Sequence, residues 1–335
     1  MEQQKGAIPS FGPSGPSAHL PMNGEERGEL AIELVHATEA AALAAARFLG
    51  KGDPDRVAEA ASDAMHHSLE ASSLTGTVVL SPRHQTQFPP GTVIKGGDRQ
   101  VDIGPFPIEG ASQVARGHIN AVSVLVAVEP GGFAKLPAVS NAERIASGHA
   151  ARGAIDLDDP IADNLRRIAF AKNARVQDLT VAILERPRHQ EITAEVSATG
   201  ARIRMLEEGD FASAVMAALS DTGIDAAVGI GDVHALLAAA CAVRCLGGEL
   251  QARLWPRNDD ERAVLGDQAS HVYGVTELAP GTDIAVAITG VTGGPLLPGV
   301  QYGSGYAETS SLVMSLRQAT IRRLTTRHLV VGDPS

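Results

Sequence analysis

The chain has 335 residues, of which 44% are hydrophobic, 20% charged and 3% aromatic. That is enough apolar material for two domains with their own cores, and it excludes a disordered or collagen-like chain. A formal charge of −11, from 28 Lys and Arg against 39 Asp and Glu, gives no general attraction to nucleic acid or an anionic bilayer. The longest apolar stretch, around residues 234–243, is well short of a membrane-spanning helix. Residues 1–24 have neither the basic start nor the apolar core of a secretory signal, and their Pro, Gly and Ser content predicts a disordered leader. A cytoplasmic location follows as the expectation.

In chain order, 29–49 combines helix formers with an apolar face and stops at Gly50 and Gly52. Asp53 is a natural N-cap, and Pro54 at the first helical position predicts a second helix to about residue 72. Strand-like runs follow at 77–80, 92–94, 101–103 and 120–128. An alternation of strand and helix then covers strands at 179–184, 202–205 and 226–230. Its helices begin after Arg188, span 210–219 and run from about 233 to 246. This is the texture of an α/β layer. A boundary near residue 175 predicts an N-terminal α/β domain over 25–175 and a C-terminal one over 176–335. Cys241 and Cys245 sit four apart on the last of these helices and read as small core residues, forming neither a disulfide framework nor a four-ligand zinc site.

Four segments could carry chemistry. The Gly- and Pro-rich run 102–111 reads as a strand-end loop bearing one carboxylate, Glu109, followed by Gly110; such a loop suits a ligand or metal and equally a structural turn. Arg186 and Arg188, separated by the rigid Pro187 just past a strand, suit a phosphate through bidentate hydrogen bonds, or form a solvated charged turn. Glu207, Glu208, Gly209 and Asp210 read as a helix start capped by Asp210, or as carboxylates accepting sugar hydroxyls. The Gly-x-Gly at 229–231 lacks the third glycine of a dinucleotide fingerprint. Of 11 histidines, His84, His118, His189 and His234 fall beside these loops, while His66 and His67 lie on the second helix. A lone histidine is more often structural than a ligand.

Taken in order, several motifs resemble the class II, GlpX-type fructose-1,6-bisphosphatases of bacteria. They include Glu29-Leu-Ala-Ile-Glu33 with Thr38-Glu39, Gly50-Lys-Gly-Asp53, Pro107-Ile-Glu-Gly110 and Ala162-Asp-Asn-Leu165. The likeness continues through Arg186-Pro-Arg-His189, Glu208-Gly-Asp210, Gly229-Ile-Gly231, Thr289-Gly-Val-Thr292 and Ile321-Arg-Arg323. The resemblance implies the layered α-β-α-β-α sandwich of the metal-dependent sugar phosphatases, a homo-oligomer, and a phosphosugar site between its two parts. It also implies phosphate-ester hydrolysis with several carboxylates holding Mg²⁺ or Mn²⁺.

The family's carboxylates are largely missing. Where the family has Gly-Glu-Gly-Glu, this chain has Ser81-Pro-Arg-His84, and Phe106 and Ala111 replace the aspartate and catalytic threonine of Asp-Pro-Ile-Glu-Gly-Thr. Ala58 and Ala235 stand at two further acidic positions, with Glu59 and His234 adjacent, and the substrate tyrosine aligned near Ser140 is absent. Glu109 alone survives in register. The substrate segments Arg186 to Arg188 and Glu208 to Asp210 are better kept, with Arg for the family's Lys and Glu for its Asp, and Gly110 and Ala111 are expected to line the same substrate site. The expectation is a protein that binds a phosphorylated sugar with no metal cofactor and with the family's hydrolysis lost. It would be either a pseudoenzyme or a metal-free enzyme using Glu109 and His84 as acid and base. The alternative is an active sugar-bisphosphatase with Mg²⁺, Mn²⁺ or a transition metal in a rebuilt site of His84, His234 and Glu109.

Overall fold

Two packed helices open the computed structural model, which describes residues 30–81 and 87–329. The expected leader lies outside that range. Helix α1 (Leu30–Ala46) buries Leu30, Leu34, Ala37, Ala41 and Ala45, a stripe at helical spacing. In α2 (Pro54–Glu70) the Asp53 carboxylate accepts the Arg56 N–H at 3.1 Å, the cap expected from the sequence. There follow β1 (Leu74–Val78), β2 (Val93–Lys95), β3 (Arg99–Glu109), α3 (Ala111–Arg116), β4 (Val122–Val128) and β5 (Asn141–Ser147). Next come α4 (Ile161–Ala171), β6 (Thr180–Leu184), α5 (Gln190–Ala198), β7 (Arg202–Leu206), α6 (Asp210–Ala218), β8 (Ala226–Asp232) and α7 (Val233–Cys245). The chain ends with β9 (Glu249–Trp255), α8 (Asp259–Leu265), β10 (Val272–Gly274), α9 (Val275–Leu278), β11 (Ala285–Gly290), β12 (Gln301–Gly303), β13 (Tyr306–Ser315) and β14 (Thr320–Leu329).

These strands form two sheets. The first runs β12-β13-β11-β4-β3-β1-β2 with β14 on β13, and the second runs β10-β9-β5-β8-β6-β7. Side chains alternate between cores at the period of a strand. In β4, Val122, Val124, Val126 and Val128 enter the central core, while Leu125 and Ala127 face α1 and α2. In β5, Ala142 and Ala146 enter the central core and Ile145 faces α4 and α5. Helices α6 and α7 fill the layer between the sheets, which gives the expected α-β-α-β-α sandwich. Sheet membership changes between β4 and β5 and again between β10 and β11, so residue 175 falls inside the second-sheet segment. No helix among the described residues is long and apolar enough to cross a membrane. Cys241 is buried and Cys245 half-buried, both unbridged.

The run 102–111 departs from its expected loop. Strand β3 continues to Glu109, with a register shift between Phe106 and Glu109. Phe106 enters the central core whereas Ile108 faces α1 and α2, so the irregularity reverses the alternation and turns Glu109 towards the middle helical layer. Ser140, near the expected tyrosine position, donates to Glu261 Oε1 at 2.7 Å. The Glu261 carboxyl also accepts the Arg257 N–H at 2.9 Å. These bonds, the backbone one foremost, hold Glu261 at about 2, below the usual carboxylate range. A lowered folded-state value stabilises above about pH 4.5, and the gain is lost as pH falls towards 2. Glu261→Gln is therefore expected to depress the melting temperature at pH 6 and to make progressively less difference from pH 4.5 down. A constant difference across that range, in calorimetric scans, contradicts this reading.

Candidate functional site

The end of β3 meets the first turn of α6 across the boundary between the first sheet and the middle layer. Glu109 Oε1 accepts the Phe211 N–H at 2.8 Å and its Oε2 accepts the Ala212 N–H at 2.9 Å. Both carboxylate oxygens thus satisfy donors that a helix start leaves open. Burial pushes the Glu109 carboxyl up to about 7, outweighing the two N–H bonds, with nearby Asp210 adding to the rise and Arg144 opposing it.

Asp210, expected as the cap of its own helix, is instead its first residue. Gly209 precedes it at φ 121°, a conformation that favours glycine. The Asp210 side chain turns to the second sheet, where Oδ1 accepts Arg144 Nη2 at 3.0 Å. Arg144 Nη2 also reaches Ser213 Oγ at 3.3 Å, and only 4% of the Arg144 side chain is exposed. Asp210 comes so near β8 that a Cβ at Gly231 would overlap its Oδ1. This explains the second glycine of the Gly-x-Gly as a close approach, without any nucleotide. Arg144 is a buried cation of this cluster that the sequence reading lacks; its signal is a cation placed between Ala142 and Ala146 on one face of β5.

The two arginines after β6 both reach backbone carbonyls. Arg186 Nη1 donates to Glu185 O at 2.9 Å and Glu207 O at 2.7 Å. Arg188 clamps Ile230 O with Nε at 3.0 Å and Nη2 at 2.8 Å, and burial lowers its pKa. Pro187 begins the 3₁₀ turn between them. A cleft of ≈ 630 Å³ lies along Arg186, Pro187, Gln190 and Met205. His189 is buried and structural: Nδ1 donates to Leu184 O at 2.7 Å while Nε2 accepts the Ile230 N–H at 2.8 Å. Across the rim, the Glu207 carboxylate takes His118 Nδ1 at 3.1 Å and lies 3.9 Å from Arg116 Nη1.

The remaining expected residues are more scattered. His84 lies outside the described residues. His234, at the start of α7, accepts the Ser81 N–H on Nδ1 at 3.2 Å. Gly110 has φ 101° and leads into α3 at Ala111, and Glu208 is half-buried in the turn before α6. Phe106 and Ala235 are buried, Ala58 half-buried, and Glu59 is exposed on α2. Among the described residues no three His, Cys, Asp or Glu side chains group to hold a metal ion. With Glu109 occupied at both oxygens, these residues do not fit a divalent-metal centre built from carboxylates.

Two sheets in a layered α/β fold, with the basic Arg188 near Asp210, are the architecture that the family resemblance implies. The bacterial, glpX-encoded fructose-1,6-bisphosphatase family matches residues 28–328, and the chain belongs to it. It is 33% identical over 322 residues to "Fructose-1,6-bisphosphatase 1 class 2" of Escherichia coli K12, covering 90% of this chain and 96% of the relative. The "Fructose-1,6-bisphosphatase class 2" proteins of Escherichia coli O6:H1 and Shigella flexneri are similar to it to the same extent.

Proposed function

We propose that the protein binds a phosphorylated sugar, of the fructose bisphosphate kind named for its relatives, without the metal-dependent hydrolysis of its family. The observation that carries this is the Glu109 carboxylate, the one acid in register with the family's ligands, which caps α6 with both oxygens. A hard divalent cation gives up bound water for several negatively charged oxygens, and Phe106, Ala111 and Ala235 offer none. The substrate segments keep Arg188 and Asp210 and keep the charge at Arg186, which replaces the family's lysine, and Glu208, which replaces its aspartate, and this supports ligand binding there.

Binding is tested by calorimetric titration of fructose 1,6-bisphosphate into wild-type protein and Arg188→Ala. Charge-assisted hydrogen bonds to phosphate predict affinity about tenfold or more weaker in the variant. The exposed Arg175→Ala, on the far side of β6 from this turn, serves as the control with unchanged affinity. Equal affinity for wild type and Arg188→Ala overturns use of this pocket. A second reading, metal-free acid–base catalysis, draws on the Glu109 carboxyl near 7, a value suited to proton exchange at neutral pH. It requires turnover of a sugar phosphate without added metal, with a rate that titrates near that value.

A further inference from the structure

The turn that joins β7 to α6 is held from two sides. From the second sheet, Arg186 Nη1 donates to Glu207 O at 2.7 Å, and from the first, Glu109 takes the Phe211 and Ala212 N–H groups just beyond the turn. The Glu207 side chain leaves this fixed main chain and crosses to the residues that follow α3. There His118 Nδ1 donates to its Oε2 at 3.1 Å, and Arg116 Nη1 stands 3.9 Å from the same oxygen. All three side chains are exposed.

The backbone places Arg116 and His118. Gly117, at φ 74°, closes α3 in a left-handed cap, and the His118 N–H returns to Gln113 O at 2.8 Å. The Asn120 N–H then donates to Gly293 O at 2.7 Å, which fixes the far end of this turn. At 3.9 Å Arg116 is too far from Glu207 for a hydrogen bond, so its fork of N–H donors has no acceptor among the described residues. Arg186 bonds two backbone carbonyls and makes no ion pair among the described residues. One carboxylate oxygen thus serves a set of donors that a phosphate, with more charge and more oxygens, would match better.

We propose that Arg116 and His118, with Arg186 beside them, form a second phosphate subsite, which the Glu207 carboxylate fills until a sugar bisphosphate displaces it. This rests on the sugar-phosphate reading above, in which Arg188 takes the other phosphate. Displacement is easy, because an exposed ion pair contributes little to stability and Arg186 keeps the main chain at Glu207 in place while the side chain swings to solvent. The incoming phosphate gains charge-assisted bonds from Arg116 and His118. A monophosphate held at Arg188 leaves the subsite to Glu207, so these residues set the preference for a bisphosphate.

The test is calorimetric titration of fructose 1,6-bisphosphate, fructose 1-phosphate, fructose 6-phosphate and inorganic phosphate into the full chain. Wild type is compared with Glu207→Gln, with the double variant Arg116→Ala and His118→Ala, and with all three substitutions together. The double variant is expected to weaken bisphosphate binding at least about tenfold and to leave at least one monophosphate within about twofold of wild type. Glu207→Gln, which keeps the shape of the side chain and removes the competing charge, is expected to tighten bisphosphate binding about threefold. That gain is expected to vanish in the triple variant, which separates a displaced competitor from a general change in charge. Bisphosphate affinity unchanged in the double variant overturns the subsite and leaves the sugar-phosphate reading intact, as does an equal loss for all three sugars. Glu207→Gln that binds no tighter also overturns it. So does inorganic phosphate that senses Arg116 and His118 when the bisphosphate does not, which would make this a site for free phosphate. Wild type that binds none of the three sugars overturns the reading and the subsite together.

Discussion

Glu109→Ala is expected to lower the unfolding free energy by about 2 kcal/mol or more, because it leaves the Phe211 and Ala212 N–H groups without acceptors in a site of restricted water access. Urea melts at about pH 4.5, where the contribution of this carboxyl is still full, measure it, and a loss below about 0.5 kcal/mol, the size of an ordinary surface substitution, would contradict the capping role. The pH dependence is distinctive. The folded-state carboxyl titrates near 7, above its usual 4.5, so the fold favours the neutral form. Its contribution is full below about pH 4.5 and is lost as pH rises through about 7. Glu109→Gln, which cannot ionise, is expected to flatten the decline in stability across that window.

The second large effect lies at Phe106, where the family resemblance leads one to expect an aspartate. The side chain is 4% exposed in the central core and pairs across β4 with Val124. Phe106→Asp is expected to cost about 3–5 kcal/mol, combining the loss of a buried ring with the burial of a polar group. Phe106→Leu, which keeps the volume apolar, is expected to cost less than about 1.5 kcal/mol. If Phe106→Asp instead leaves stability unchanged and gains tight Mn²⁺ binding, the position is still a ligand site and the account of it as packing is wrong.

Much of the fold was legible because local signals agreed with tertiary ones. Asp53 and Pro54 started α2 where expected, and the alternation from 179 to 246 returned as β6 to α7 with only small shifts at the ends. The run 102–111 misled because Gly104, Pro105 and Pro107 carry turn chemistry. Beyond Ile103, β3 no longer pairs with β1, so a proline there removes no bond to that neighbour. Strand β14 shows no alternation of apolar and polar residues, and its strand character comes from pairing with β13. The distribution of strands between two sheets is likewise a matter of distant pairings that no local pattern encodes.

The site was legible as a set of segments and less so as a set of bonds. Glu109, Gly209, Asp210 and Arg188 were each marked by charge or glycine beside a strand end. Which partner each would take was not, since Glu109 binds α6 across 102 positions of sequence and Arg144 reaches Asp210 across 66. The Glu109 carboxylate, which the family resemblance gives as a metal ligand, spends both oxygens on α6. Here two backbone N–H groups stand where the family resemblance leads one to expect a cation.

The most direct test of the central claim is calorimetric titration of fructose 1,6-bisphosphate into the purified protein with and without Mn²⁺, following phosphate release in the same samples. The account predicts binding that is independent of the metal and no release of phosphate. Binding that requires Mn²⁺, accompanied by turnover, would mean that a replacement ligand set operates in this chain, and it would contradict the assignment of Glu109 to the cap of α6.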